Sequence, residues 1–263
     1  MIQYERTKRQ KRPLFARNYA ITMRIHSIET FGTHEGPGIR LVVFLQGCNL
    51  CCAYCHNPDT INLKGGREMS VSEIMTLLTE QKPYFSNGGG LTISGGEPTL
   101  QAAELIKLFT EVKKAGYNTA LDTNGTILTA DVKKLLSLTD LALIDLKHID
   151  STWHQKLTGQ GNETVLKTIE FREDSQQVFW IRYVLVTGWT DQVKYLEQLA
   201  KYLSQFKYLE RLEILPYHNL GVHKYKELGL EYRLKDVTPA TIQDVERAAD
   251  IFKKYLPAEI VRY

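Results

Sequence analysis

Six apolar segments of strand length alternate with segments that have the spacing of amphipathic helices. The apolar segments cover residues 41–46, 90–94, 117–121, 141–147, 178–186 and 209–215. Strands that alternate with helices form right-handed crossovers, and these build a parallel sheet that stays open or curls into a barrel. Six units are fewer than the eight of a complete barrel. The sequence therefore predicts an α/β fold, a partial (β/α)6 barrel of parallel strands.

Helix boundaries are predicted from caps and from apolar spacing. Ser70 and Glu73 form a capping box at the start of one helix. Thr190 is expected to cap a later helix, and Thr238 with Pro239 to begin the C-terminal one. The other predicted elements are helices at residues 105–112, 130–138 and 163–172, and a short strand at residues 24–30. No low-complexity segment interrupts this pattern.

Positive charge is concentrated at the N-terminus. The net charge is +3, but residues 1–22 carry six basic residues and one acid, so residues 23–263 carry −2. A nucleic-acid role would have to depend on that short arm alone, because the rest of the chain is not basic. We therefore expect a disordered basic arm at residues 1–22, or sequence upstream of a natural start at Met23. The remainder, residues 23–263, is expected to be a single domain.

The cysteines indicate a reducing compartment. All four lie within residues 48–55, too close together to join distant parts of a fold as disulfides. They are better explained as metal ligands. No apolar run approaches the roughly 20 residues that cross a bilayer, and the N-terminus has no signal-peptide pattern. We therefore expect a cytoplasmic protein.

Polar motifs follow the carboxyl ends of five predicted strands. They are residues 48–55, 95–98, 122–125, 145–147 and His218. In a barrel of parallel strands these ends form one rim, where active sites are built. Motifs that are far apart in sequence are therefore expected to line one cavity.

The cysteine spacing allows two kinds of metal site. Pairing Cys48 with Cys51 and Cys52 with Cys55 would give a zinc site, although such pairs usually lie about a dozen or more residues apart. Cys48, Cys52 and Cys55 alone would instead bind three irons of a [4Fe–4S] cluster. In that case Cys51 does not bind the cluster, and the fourth iron is open to a ligand from outside the protein.

The spacing of Cys48, Cys52 and Cys55, with Tyr54 directly before the last cysteine, resembles that of the radical S-adenosylmethionine superfamily. In that superfamily the open iron chelates the amino and carboxylate groups of S-adenosylmethionine. An electron from the reduced cluster cleaves the sulfonium, which gives methionine and a 5′-deoxyadenosyl radical that abstracts hydrogen. The resemblance implies an oxidoreductase in which the protein supplies orientation and excludes water.

Several rim residues suit that cofactor. Gly95 and Gly96 have no side chains that would block backbone groups from the methionine end. The side chains that can bind its polar groups are Glu97, Asp145, Lys147, Arg182 and His218. Carboxylates accept hydrogen bonds from ammonium or hydroxyl groups, cations bind a carboxylate, and histidine can stack on the nucleoside. Each residue alone is a common structural feature, so their shared place on one rim carries the interpretation.

Within the superfamily, the chain resembles the pyruvate formate-lyase activating enzymes, a family of glycyl radical activases. The segments that carry the resemblance are residues 36–40, 54–57, 94–97, 121–125, 145–147, 180–183 and 215–218. The resemblance implies hydrogen abstraction from the α-carbon of one glycine in a partner, pyruvate formate-lyase. It also suggests reduced flavodoxin or ferredoxin as the electron donor.

The resemblance also implies roles for individual residues. Cluster ligands would be Cys48, Cys52 and Cys55. Contacts with S-adenosylmethionine are implied for Tyr54, Cys55, His56, Gly96, Asp145, Leu146, Lys147, Arg182 and His218. Asp122 and Thr123, with the backbone of Leu143, would bind a monovalent cation, Na⁺ or K⁺. Glu35 departs from the family's aspartate in the loop expected to dock the partner peptide, and Cys51 is an additional thiol.

Two other functions remain as alternatives. One is a radical S-adenosylmethionine enzyme that acts on a small molecule or on another glycyl radical enzyme. Several activases of other glycyl radical enzymes carry a ferredoxin-like insertion with further cysteines, and a chain with four cysteines has none to spare for it. The other alternative is a zinc-stabilised protein whose basic arm contacts nucleic acid.

Overall fold

The computed structural model describes residues 21–85 and 87–263. The expected disordered arm at residues 1–22 lies outside this range except for Ile21 and Thr22. Thr22 is the first residue of a strand and pairs with Ser70. The expected domain boundary after residue 22 therefore falls inside the first strand.

A single, mostly parallel sheet forms the framework of the described residues. Its strands are β1 (Thr22–Gly32), β2 (Arg40–Leu45), β3 (Arg67–Ser70), β4 (Gly90–Gly95), β5 (Asn118–Thr123), β6 (Leu141–Asp145), β7 (Phe179–Leu185), β8 (Leu209–Pro216) and β9 (Val261–Arg262). The spatial order is β3-β1-β2-β4-β5-β6-β7-β8-β9. Strands β2 and β4 to β9 are parallel, and β1 is antiparallel to β2 and β3. The six predicted strands are β2 and β4 to β8, so the predicted partial barrel of parallel strands is confirmed.

Helices connect the parallel strands. They are α1 (Val71–Gln81), α2 (Ala102–Lys114), α3 (Ala130–Leu138), α4 (Ser151–Thr158), α5 (Glu163–Asp174), α6 (Val193–Leu203), α7 (Val222–Glu227) and α8 (Ile242–Phe252). The capping box predicted for α1 is present, since the Ser70 hydroxyl accepts from the Glu73 N–H. Within residues 21–85 and 87–263, no helix is long and apolar enough to cross a membrane.

Two predicted helix starts are wrong. Helix α6 begins at Val193, because the Thr190 hydroxyl is used inside the preceding turn, where it donates to the Val184 carbonyl and accepts from the Val186 N–H. Helix α8 begins after Thr241, which supplies its capping box, and not at Thr238. Neither predicted threonine is therefore the cap: Gln192 precedes α6, and Thr241 caps α8.

Successive side chains along β4 and β7 point alternately to the hydrophobic core and to a cavity. In β4, Leu91 and Ile93 belong to the main hydrophobic core, which also contains apolar residues of helices α1 to α3, α5, α6 and α8. Their neighbour Ser94 lies on the opposite face and lines a cavity. In β7, Ile181 packs in the core and Arg182 lines the cavity. One face of the sheet is thus buried by helices, while polar side chains near the strand ends of the other face line the cavity.

Candidate active site

A cavity of about 550 Å³ lies at the carboxyl ends of the parallel strands. The predicted site residues that line it are Cys48, Cys52, Tyr54, Cys55, His56, Gly95, Gly96, Asp122, Asp145, Lys147, Arg182 and His218. All of them except His56 and Arg182 belong to the five polar motifs that follow strand ends, as expected of one rim. The structure therefore brings together most of the predicted site.

Strand register places the charged side chains of the cavity side by side. Asp145, the last residue of β6, pairs with Arg182 of β7, and Arg182 pairs in turn with Glu213 of β8. Because paired residues of neighbouring strands point to the same face, their side chains lie within reach of one another. The sheet itself therefore assembles acids and bases from distant parts of the sequence.

The four cysteines divide into two groups. Cys48, Cys52 and Cys55 line the cavity, whereas Cys51 is exposed and is not among the described residues that line it. Burial raises the pKa of Cys48 and of Cys52 to about 12, and it also raises the pKa of Cys55. Binding to iron would therefore have to displace the thiol protons.

Helix α4, which the sequence did not predict, supports residues 48–55, which we call the cysteine loop. The last carbonyls of this helix have no partners within the helix. The Leu157 carbonyl accepts from the Ala53 N–H at 2.8 Å, and the Thr158 carbonyl accepts from the Cys51 N–H at 2.9 Å. The loop is thus fixed to a helix end through its backbone.

A compact site for a single metal ion is absent from the described residues. No three His, Cys, Asp or Glu side chains there are close enough together to hold one ion. A four-cysteine zinc site would need Cys51 beside the other three thiols, yet its side chain is exposed. The arrangement therefore disfavours zinc and leaves the three cavity cysteines for a larger iron–sulfur group.

Lys147 is the cation beside the cysteines. Its ammonium lies 2.7 Å from the Asp145 carboxylate and 5.6 Å from the centre of the Tyr54 ring. Although burial opposes a positive charge, the Asp145 carboxylate raises the pKa of Lys147 well above its ordinary value. The lysine is therefore charged at neutral pH, and this charge lies on the wall of the cavity.

Asp122 carries an unused acceptor. Its Oδ2 atom accepts from the Ser94 hydroxyl at 2.7 Å and from Arg182 Nη1 at 3.1 Å. Its Oδ1 atom is buried and has no hydrogen-bond partner among the described residues. Burial raises the pKa of Asp122, and Arg182 opposes that rise. A buried acceptor without a donor is costly, so this oxygen suits a polar group bound in the cavity.

Two histidines close one side of the cavity. His56 and His218 stack with ring centres 4.0 Å apart, and His56 Nε2 lies 2.9 Å from the His218 carbonyl oxygen. Burial lowers the pKa of His218, so its ring is neutral at pH 7. Its Nδ1 atom has no partner within the described part of the chain. The ring therefore offers a flat face and a free nitrogen to a planar ligand.

The two glycines at the end of β4, Gly95 and Gly96, are required by close packing. A Cβ atom on Gly96 would overlap the Gly47 carbonyl oxygen, and one on Gly95 would overlap the backbone of Leu45. Gly95 also has φ of +125°, which favours glycine. The glycines let this turn lie directly against the start of the cysteine loop.

Three predicted site residues do not line the cavity in the described structure: Glu97, Thr123 and Leu146. Leu146 is buried in the main core. The Glu97 carboxylate is fully buried and accepts from the Thr99 and Asn124 N–H groups and from the Thr99 and Thr123 hydroxyls. Its oxygens are therefore occupied within the protein, so the prediction that Glu97 contacts a ligand is wrong. Its hydrogen bonds instead join the turn after β4 to the end of β5.

Other cavity residues were not singled out from the sequence. They include His34, Phe44, Asn57, Thr60, Asn124 and Val184. Asn124 is the informative one, because its amide nitrogen lies 4.0 Å from the Cys48 sulfur and 3.0 Å from Asn49 Oδ1. Its place in the motif at residues 122–125 was the signal that could have identified it.

The residues present fit an iron–sulfur cluster with a polar organic cofactor. The cysteines supply three thiols, and the rest of the wall supplies an unpartnered carboxylate oxygen, two cations and a neutral histidine. A cavity of about 550 Å³ is of the size that holds small-molecule cofactors.

Comparisons with known proteins agree with this chemistry. The family described as "4Fe-4S single cluster domain" matches residues 34–166, which include the cysteine loop. The pyruvate formate-lyase-activating enzyme of Staphylococcus aureus strain USA300 is 43% identical over 246 residues, which cover 90% of this chain and 98% of that protein. The chain belongs to the pyruvate formate-lyase-activating enzyme family. The resemblance inferred from the motifs is therefore confirmed, and the chain is a radical enzyme with a [4Fe–4S] cluster domain.

Solved structures place this member of the activating-enzyme family in the radical S-adenosylmethionine fold. A domain of pyruvate-formate lyase-activating enzyme from Bacteroides vulgatus is 27% identical, with a TM-score of 0.54 over 64% of this chain and 95% of that chain. Streptococcus suis SuiB bound to its precursor peptide SuiA superposes with a TM-score of 0.65 at 17% identity, over 82% of this chain and 45% of that chain. A radical SAM methyltransferase from Sphaerobacter thermophilus gives 0.60 at 14% identity, over 85% and 66%.

Proposed function

We propose that the chain activates pyruvate formate-lyase by generating a glycyl radical on that partner. The observation that carries the proposal is the grouping of Cys48, Cys52 and Cys55 on one cavity, with Cys51 outside it. Three thiolates leave one iron of a [4Fe–4S] cluster free for S-adenosylmethionine. When bound, these groups supply an electron and a 5′-deoxyadenosyl radical, which removes a hydrogen atom from the partner's glycine.

The charged side chains of the cavity would bind and orient S-adenosylmethionine. Its carboxylate would meet Lys147 or Arg182, whose positive charges are held by Asp145 and Asp122. Its amino group would donate to the unpartnered Asp122 Oδ1 atom. Charge-assisted hydrogen bonds of this kind fix both position and orientation. Alternatively, this oxygen would bind a monovalent cation beside the cofactor, with Thr123 and the Leu143 backbone as the further ligands.

The opposite wall would bind the nucleoside. The neutral ring of His218 offers a flat face, and its free Nδ1 atom can hydrogen-bond a base or a ribose hydroxyl. Tyr54 is buried and lies beside Lys147. Its side chain would exclude water from the reacting groups, and exclusion of water protects a radical from side reactions.

A protein substrate suits the open side of the cavity. His34 is exposed and Glu35 is half-buried, and both line the cavity on the loop between β1 and β2. Burial raises the pKa of Glu35, while Arg182 opposes that rise. We infer that the glycine-bearing segment of the partner passes these two residues. We further propose reduced flavodoxin or ferredoxin as the electron donor, in the cytoplasm, where buried thiols stay reduced.

Release of 5′-deoxyadenosine tests this proposal against a small-molecule substrate. The reduced, iron-loaded chain should release 5′-deoxyadenosine from S-adenosylmethionine when pyruvate formate-lyase is added. A partner variant whose radical-bearing glycine is replaced by alanine serves as the matched control and should give far less. Release that depends on an added metabolite, and not on the partner protein, would reject the proposal.

A further inference from the structure

The segment after β8 covers the outer side of the cysteine loop. We call residues 219–237 the strap; it contains α7 and the loop that follows it. Of the described residues that line the cavity, none belongs to the strap. It nevertheless contacts the cysteine loop at several places. The strap can therefore act on the site only through the loop that it holds.

Polar contacts join the strap to the loop along its length. The Tyr225 hydroxyl donates to the Cys55 carbonyl at 3.0 Å. The Arg233 guanidinium donates to the Cys51 carbonyl at 3.4 Å, and it also donates to the Lys156 carbonyl at the end of α4. The Lys224 ammonium donates to Asn57 Oδ1 at 2.8 Å. The loop is thus held from this side at Cys51, at its last cysteine and just beyond it.

Apolar packing closes the same side. Tyr225 and Tyr232 are each 8% exposed, and their rings pack edge to face with centres 4.8 Å apart. They belong to a second hydrophobic cluster, separate from the main core, that also contains Ala53 and Tyr54 of the cysteine loop. Cys52 packs against this cluster. The strap therefore covers the loop with aromatic side chains as well as with hydrogen bonds.

Tyr225 is the contact closest to a predicted cluster ligand. Its hydroxyl is directed to the carbonyl of Cys55 itself, so the bond restrains the backbone that carries this thiol. The Cys55 N–H is used within the loop, where it donates to the Cys52 carbonyl at 3.1 Å. Both backbone groups of Cys55 are therefore bonded, one to the loop and one to the strap.

We propose that the strap is a clamp that retains the iron–sulfur cluster, with Tyr225 as the positioning residue for Cys55. The inference rests on the proposed binding of the cluster to Cys48, Cys52 and Cys55. A restrained loop keeps the three thiolates in binding geometry, so a thiolate that leaves an iron binds it again before the iron is lost. The hydroxyl hydrogen, the positive end of its dipole, lies at the carbonyl of Cys55, and positive charge near a cluster ligand favours the reduced cluster.

Replacement of Tyr225 by phenylalanine tests the clamp. The change keeps the ring and removes the hydroxyl. In the anaerobic, iron-loaded full chain, we expect Tyr225→Phe to lose iron to a chelator about three to ten times faster than the wild type, as expected for one net hydrogen bond. Amide hydrogen exchange should rise at residues 48–57 and not in the main core. The reduction potential of the cluster should become lower, which a purely structural change elsewhere would not cause.

Tyr232→Phe is the matched control. Its hydroxyl bonds to the Tyr217 hydroxyl at 2.7 Å in the same aromatic cluster, with no hydrogen bond to the cysteine loop in the described structure. It should leave iron loss and potential near the wild-type values. Arg233→Gln offers a second test at an exposed residue, and iron loss should again accelerate, by a smaller factor.

The outcomes separate the clamp from the proposed function. If the wild type takes up no four-iron cluster, the proposed function itself fails. If the wild type binds the cluster and Tyr225→Phe retains iron equally well, only the clamp is rejected. Equal acceleration in Tyr225→Phe and Tyr232→Phe would also reject it, because the effect would then come from general packing of the aromatic cluster.

Discussion

Cys51 and Cys52 are adjacent in the chain but have different surroundings. Cys52 lines the cavity, whereas Cys51 is exposed. We predict that Cys51→Ala keeps the cluster, with about four irons per chain, because this thiol binds no iron. Cys52→Ala should lose the cluster. Iron content and the visible absorption of anaerobically reconstituted protein measure both effects.

Comparing Cys51→Ala with Cys52→Ala also shows whether the loss of any one thiol from this loop is enough to lose the cluster. Each removes one sulfur from the same loop, and the N–H of Cys51, which donates to Thr158, is kept in the alanine variant. Equal loss of iron from both variants would mean that the cysteines bind in another combination.

His148 makes stability depend on pH. It is fully buried, and burial lowers its pKa from 6.5 to about 4. The unfolded chain therefore binds a proton near pH 6.5 that the folded chain excludes until about pH 4, so stability falls across this window as pH decreases. Between pH 7 and 5 the free energy of unfolding should fall by about 2 kcal/mol more in the wild type than in His148→Phe. Urea unfolding of the iron-free chain measures the difference, and parallel pH profiles would contradict it.

The site residues differ in how far the sequence could predict them. The cysteine spacing and the motif with Asp145 and Lys147 predicted chemistry that the cavity does bring together. Glu97 had the same sequence signal, a carboxylate after a strand. Its oxygens are instead occupied by donors of its own turn at Thr99 and of the neighbouring strand end at Thr123 and Asn124. Only the packed fold decides whether such an acid faces a ligand or the protein itself.

At the scale of elements, the turn after β4 is fitted tightly against the cysteine loop. The Gly96 N–H donates to the Leu45 carbonyl, and the Glu97 N–H donates to the Gly47 carbonyl at 2.7 Å. An alanine at residue 96 would overlap the Gly47 carbonyl, which is backbone and cannot rotate away. We predict that Gly96→Ala lowers the free energy of unfolding by about 3 kcal/mol or more and reduces iron retention. Urea unfolding and chelator challenge measure the two effects.

Gly188→Ala is the control for this prediction. Gly188 has φ of +75°, but a Cβ atom there would meet open space. It should cost only the left-handed backbone conformation, about 1–2 kcal/mol, and leave iron retention unchanged. A smaller loss of stability in Gly96→Ala than in Gly188→Ala would contradict the tight fit of the turn.

Elements differed in how well the sequence predicted them. Long apolar strands were predicted because burial on both faces leaves a continuous apolar run, and helix α3 was predicted at residues 130–138, where it is found. Helices α4 and α7 were missed because they are short and carry few apolar residues. Both hold the cysteine loop in place, so their formation depends on tertiary contacts that no local pattern records.

At the scale of the whole molecule, parallel topology turns separated motifs into one site. All five motifs follow strands whose carboxyl ends meet at one edge, and 12 of the 15 predicted site residues line the cavity there. The topology was predictable because strand and helix alternate regularly. Side-chain packing, which a single sequence does not specify, determines the depth of the cavity. It also determines the free acceptor on Asp122 and the way the strap covers the loop.

The central claim is that this cavity produces a glycyl radical on pyruvate formate-lyase. Electron paramagnetic resonance measures that radical directly. Reduced, iron-loaded protein should be mixed anaerobically with S-adenosylmethionine and pyruvate formate-lyase, with Cys52→Ala as the inactive control. We predict a glycyl doublet that appears with the wild type and is absent with the variant. No doublet from a wild-type chain that carries its full cluster and binds S-adenosylmethionine would contradict the claim.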